Sequence, residues 1–144
     1  MNTGQINKKL KSINSFAGAF PYDMIPIILN KPVEYIINTD PSTKPGEHWV
    51  AIHLNGKGKG EYFDSFGFEP LQDNIIQFLN MTCPLGWKYS TLPLQSINDV
   101  TCGHYCIVFT ILKSKNYKYK DILNIFSQNS VINDIFVRAL IKSL

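Results

Sequence analysis

Residues 101–106 read Thr-Cys-Gly-His-Tyr-Cys, placing two thiols and an imidazole within six positions. Metal ligation, bracing of a core, and a nucleophilic thiol all suit such a segment. Cys102 precedes a glycine and opens the run CGHYCIVFTILK, which is apolar nearly all round and predicts a central, buried helix. The free N–H groups and dipole of a helix start favour a thiolate, lowering a cysteine from its ordinary value of about 8.5. Gly103, lacking a side chain, leaves room for a substrate backbone beside that helix start. Cys106, inside the apolar run, reads as a buried, inert thiol. Zinc held by Cys102, His104, Cys106 and a further His is disfavoured, because helix positions i and i+2 point to different sides.

Upstream, other polar residues interrupt apolar sequence. His48 heads a predicted strand just before Trp49, and Asp64 interrupts YFDSF at the end of the next strand. A hairpin between those strands makes them neighbours, and a carboxylate beside an imidazole fixes its tautomer and stabilises its protonated form. His53, five residues along from His48, is expected on the opposite face and is the weaker candidate. Gln95, seven residues before Cys102, carries an amide whose N–H can join the Cys102 backbone N–H as an oxyanion hole. Each residue has a structural reading as well: packing for the cysteine and histidine, turn capping for the aspartate. As a set they supply nucleophile, base and orienter at strand and helix ends, with the Gln95 amide in a loop-like stretch before the nucleophile.

The elements that must position these residues form an α+β pattern. TGQINKKLKSIN spaces Ile6, Leu10 and Ile13 as an amphipathic helix. FAGAFPYDMIPIILNKP is broken by Pro21, Pro26 and Pro32 and reads as an irregular, apolar, buried connection. VEYIINT, EHWVAIHL, GEYFDSF and WKYST read as strands, with PSTKPG a turn and NGKGKG a hairpin loop. No Gly-Lys-Ser/Thr follows those glycines, which excludes a phosphate-binding loop there. PLQDNIIQFLNM predicts a short helix, and YKDILNIFSQ and VINDIFVRALIKSL predict two amphipathic helices, the second capped by Asn129 or Ser130. The expected architecture is a small central sheet packed by helices, one domain over residues 1–144, with the nucleophile at the start of the buried helix.

Composition agrees with a globular chain: 44% hydrophobic, 17% charged, net charge +3. No apolar run approaches the roughly 20 residues that span a bilayer, and the N-terminus lacks the apolar core of a secretion signal. Three cysteines without such a signal predict free thiols in a reducing compartment.

GEHWVAI, YFDSFGFEP and QSINDVTCGHYCIVF resemble the adenovirus protease (adenain) family of cysteine peptidases, which shares a clan with the ubiquitin-like-protein-specific proteases. The order His, acid, Gln, Cys is similar, as are the His-Trp pair, the acid before Phe-Gly-Phe, and the Gln-to-Cys interval of seven. Asn98 and the phenylalanine three residues after Cys106 also fit, and the likeness runs from roughly Phe16 to Thr110. The resemblance implies Cys102 as nucleophile, His48 as general base and later acid, Asp64 as orienter, and Gln95 in the oxyanion hole. It implies cleavage of viral precursor polypeptides at small, Gly-containing sites, with a deubiquitinating or deSUMOylating isopeptidase acting on Gly-Gly fusions as the alternative. Residence in the virion and the host nucleus or cytoplasm follows from the same resemblance, with a monomer expected.

The chain departs from the family in places. Adenoviral members carry Glu where this chain has Asp64, and Thr101 stands where deSUMOylating enzymes usually have Asp. The chain is shorter after the nucleophile helix. Nothing in the sequence requires a cofactor. The resemblance implies an activating peptide and DNA, and Cys83 lies one residue out of step with the peptide-linking cysteine, being otherwise a semi-exposed thiol. The segment KSKNYKYK interleaves basic and aromatic residues, as in a nucleic-acid contact or a solvated connection.

Overall fold

The computed structural model describes residues 1–40, 42–43 and 48–144. The PSTKPG turn lies mostly outside the described residues, as does Glu47 at the head of its strand; Ser42 and Thr43 are in a turn.

Five strands form one sheet in chain order: β1 (Phe16–Pro21), β2 (Val33–Asn38), β3 (Trp49–Leu54), β4 (Gly60–Phe63) and β5 (Trp87–Tyr89). The β1–β2 and β4–β5 pairs are parallel, and β2–β3 and β3–β4 antiparallel. The helices are α1 (Thr3–Leu10), α2 (Asp73–Thr82), α3 (Cys102–Ser114), α4 (Tyr119–Asn124) and α5 (Ser130–Lys142).

Strand alternation divides the core into two layers. Trp49, Ala51 and Phe63 pack with Tyr105, Cys106 and Phe109 of α3. Val50, Ile52 and Tyr62 face Ile75, Phe78 and Leu79 of α2. The central strands β2 and β3 are covered on both faces, so their sequences are almost continuously apolar. Helix α3 buries nine of its thirteen residues, in keeping with its nearly uniform apolar surface. Its Phe109 ring stacks on Phe63 of the sheet at 4.7 Å.

The expectation of an irregular, buried connection is corrected. The irregular stretch after Pro21 is not buried, Met24, Ile27 and Leu29 each being more than half exposed. FAGAFP is a strand, β1, not irregular chain. Its register shifts between Phe16 and Gly18, whose φ is 137°, and Pro21 falls at its last position. An edge strand tolerates both a bulge and a terminal proline, so these breakers marked an edge and not a loop.

Candidate active site

His48 sits at the head of β3, where its carbonyl accepts the Thr39 N–H at 2.8 Å and prolongs the strand pairing. Asp64 follows directly after β4, the next strand of the antiparallel pair. The hairpin therefore brings the two side chains together: His48 Nε2 lies 2.9 Å from Asp64 Oδ1. The same oxygen accepts the Phe66 N–H at 2.8 Å, and the Phe66 ring stacks on the imidazole at 4.9 Å and 22°. One residue thus pins the carboxylate with its backbone and covers the imidazole with its side chain. This turn depends on Gly67, whose φ is 78° and where a Cβ would overlap the backbone of Thr91 and Leu92.

Cys102 is the first residue of α3, and its thiol lies close enough to the His48 imidazole for each to shift the other's protonation. With Nε2 committed to Asp64, Nδ1 is the ring nitrogen left for the sulfur. Burial opposes charge on both partners. For His48, the hydrogen bonds and charges of Asp64 and Cys102 overcome burial and push the imidazole up to about 9. For Cys102, the His48 hydrogen bond and charge, with backbone N–H groups of Trp49 and Gly103, bring the thiol below its ordinary value. The arrangement favours a thiolate–imidazolium pair.

Gln95 is 4% exposed in the loop leading to α3. Its Oε1 accepts from the Ser65 hydroxyl at 2.5 Å, and its Nε2 donates to the Asp99 carbonyl at 2.8 Å. A carboxamide nitrogen carries two hydrogens, so one remains for another acceptor. The Ser65 carbonyl also takes the N–H groups of Leu94 and Gln95, which ties this loop to the turn carrying Asp64.

Asp134 and Asn133 were not among the sequence-derived candidates, yet they hold the same loop from α5. Asp134, 2% exposed, accepts from the Tyr105 hydroxyl at 2.7 Å, the Thr101 hydroxyl at 3.3 Å and the Ser96 N–H. Asn133 donates to the Leu94 carbonyl at 3.1 Å. The signal was a pair of polar residues sharing helical spacing with Val137 and Ile141, the buried face of α5. The apolar Val131, Ile132 and Ile135 are instead exposed.

Other expected residues have different surroundings. Gly103 does not open onto a cleft: a Cβ there would touch Trp49 and Met1. Cys106 is fully buried, which raises its thiol well above the ordinary value. Cys83 is buried against Gly60, where the sequence suggested a semi-exposed thiol, and burial raises it too. His53 lies away from His48 and is bonded to Glu34 at 2.8 Å. His104 is held neutral chiefly by burial, and among the described residues no three His, Cys, Asp or Glu side chains gather as metal ligands. Within KSKNYKYK, Lys113 and Tyr119 are buried and bonded internally, so only part of that segment faces solvent.

Fold and residues together are similar to those of a viral cysteine protease. No family model matches the chain. Its sequence is 30% identical over 95 residues to the cysteine protease S273R of African swine fever virus (isolate Tick/Malawi/Lil 20-1/1983), covering 58% of this chain and 34% of the relative. The chain thus spans about a third of the length of that relative. Its fold is similar to that of the ASFV pS273R protease, with a TM-score of 0.64, 16% identity, and coverage of 95% of this chain and 66% of the other. The central domain of the uncharacterized Lpg1148 protein of Legionella pneumophila shares the fold over 99% of this chain and 96% of its own, with a TM-score of 0.58 and 14% identity.

Proposed function

We propose that this chain is a cysteine endopeptidase in which Cys102, His48, Asp64 and Gln95 carry the reaction. One observation carries the reading: the His48 imidazole is hydrogen-bonded to Asp64, and the Cys102 thiol at the start of α3 lies close enough to that imidazole for the two to shift each other's protonation. The relationship to a viral cysteine protease supports it.

The Cys102 thiolate attacks the scissile carbonyl carbon, forming a C–S bond and moving the π electrons onto oxygen. The Cys102 N–H and the uncommitted Gln95 amide hydrogen bind that oxyanion. As the C–N bond breaks, the His48 imidazolium gives its proton to the leaving amine, and a thioester remains. His48, now neutral, takes a proton from water as the water attacks the thioester, and collapse releases the carboxylate product and restores the thiolate. Asp64 keeps Nδ1 aimed at sulfur and stabilises the charged ring.

The proposed substrates are viral precursor polypeptides cut at small, Gly-containing sites, in the virion and the host cell nucleus. DNA and peptide activation enter only through family resemblance. A disulfide at Cys83 would first require the end of α2 to lift, because that thiol is 3% exposed.

A peptide vinyl sulfone ending in Gly-Gly tests the reading by intact mass. One adduct, located at Cys102 and absent from Cys102→Ala, is expected. Cleavage of a precursor peptide should also vanish in that variant, and retained cleavage would place the nucleophile elsewhere. Preferential hydrolysis of Gly-Gly fusions of ubiquitin-like proteins over precursor peptides would move the assignment to the isopeptidase alternative.

A further inference from the structure

We propose that a cavity at the end of α3 remote from Cys102 binds a small polyphosphate, with a linear triphosphate as the minimal ligand. Cys102 and Lys113 are eleven residues apart on α3, roughly 16 Å at 1.5 Å per residue. The site is therefore separate from the proposed hydrolytic centre, and its assignment does not depend on hydrolysis.

Two adjoining cavities of about 430 and about 330 Å³ share His53, Glu61, Lys88 and Lys113. The first adds Lys59, and the second adds Lys118 and Lys120. Five lysines and a histidine thus line the space, against the single carboxylate of Glu61. Volumes of a few hundred cubic ångströms suit a small molecule.

Two of the basic groups are fixed from behind, as in a formed site. Lys113 is 9% exposed, with Nζ 2.8 Å from Glu61 Oε1 and donating to the Tyr117 carbonyl at 3.0 Å. His53 Nδ1 lies 2.8 Å from Glu34 Oε2, and Glu34, itself 1% exposed, also takes the Ser15 hydroxyl. That leaves Nε2 as the ring nitrogen for the cavity. Lys59, Lys88, Lys118 and Lys120 are exposed, and their long stems can swing over a ligand.

Ammonium groups crowded around one carboxylate repel one another, and a multiply charged anion relieves that repulsion while accepting several charge-assisted hydrogen bonds. The lysines converge from four places: the β3–β4 hairpin, β5, the end of α3, and the start of α4 with the turn before it. Convergence on a concavity favours a compact anion. A nucleic-acid strand would instead call for a groove tracking its backbone.

The test is calorimetric titration with sodium tripolyphosphate in EDTA at two salt concentrations, using the whole chain, Lys88→Glu, Lys118→Glu and Lys8→Glu. Lys8 is an exposed residue of α1 outside the cavity, so its reversal makes the same change in net charge. Saturable binding is expected, weakened about tenfold or more by Lys88→Glu or Lys118→Glu, unchanged by Lys8→Glu, and falling with added salt. Thermal melts check that each variant is folded. ATP in a parallel arm separates sources: equal affinity admits a nucleoside triphosphate, and a weaker response favours an inorganic chain. No binding at millimolar tripolyphosphate would overturn the proposal, as would equal weakening by Lys8→Glu. Duplex DNA that binds through Lys118 and is not displaced by tripolyphosphate would overturn it too, transferring the cations to nucleic acid.

Discussion

At the scale of single residues, the His48–Cys102 pair sets the expected pH behaviour. Below the lowered Cys102 value both groups are protonated and the sulfur is a weak nucleophile. Above it the ion pair forms and persists until the imidazolium is lost near about 9. Peptide cleavage should therefore rise through the acid limb and fall beyond about 9, where no proton remains for the leaving amine. Iodoacetamide labelling needs only the thiolate and should rise without the alkaline fall; a matching fall in labelling would contradict the assignment. Because the groups are coupled, both limbs belong to the pair. Asp64→Asn should lower kcat by roughly 10²–10⁴, by analogy with triad aspartates, without changing the urea midpoint.

Phe66 gives a second residue-scale expectation. A ring stacked on an imidazolium contributes about 0.5–2 kcal/mol, so Phe66→Leu should move the acid limb of labelling upward by about 0.4–1.5 pH units. Phe66→Tyr should restore it. An unchanged limb in Phe66→Leu would reduce Phe66 to packing.

At the scale of elements, the Gln95 loop is held between the Asp64 turn and α5. Asp134→Ala strands the Thr101 hydroxyl and the Ser96 N–H and leaves the Tyr105 hydroxyl only the Leu94 carbonyl, at a cost of about 2–4 kcal/mol. Urea unfolding measures that cost. Since Gln95 rides on this loop, cleavage should fall further than labelling, which needs no oxyanion contact; equal losses would indicate general damage. Of the candidate residues, His48, Asp64 and Cys102 were legible in the sequence because each sits at the end of a strand or helix that local pattern marks well, and Gln95 lies in a loop. What holds them was less legible. Burial of Asn133 and Asp134 depends on partners 39 and 29 residues away in sequence, a dependence that helical periodicity cannot express. The same limit hid β1, whose pairing with β2 overrides its local breakers, and the internal roles of Lys113 and Tyr119.

At the scale of the whole molecule, the two core layers meet at β2 and β3, and α3 crosses one of them as its main buried helix. The α+β architecture followed from the alternation of strand and helix patterns along the sequence. The division of labour between layers did not, because it depends on which face each strand presents. Phe109→Ala removes a ring packed on both Phe63 and Tyr119 and should cost about 3–5 kcal/mol, read from chemical denaturation. A change below about 1 kcal/mol would mean that this layer repacks freely.

The proposed nucleophile is mounted on the most deeply embedded rod of the protein, nine of whose thirteen residues are buried. Warming should therefore leave no intermediate temperature at which the chain keeps its shape but has lost its aim. Thiol reactivity and aromatic circular dichroism should disappear along one and the same melting curve.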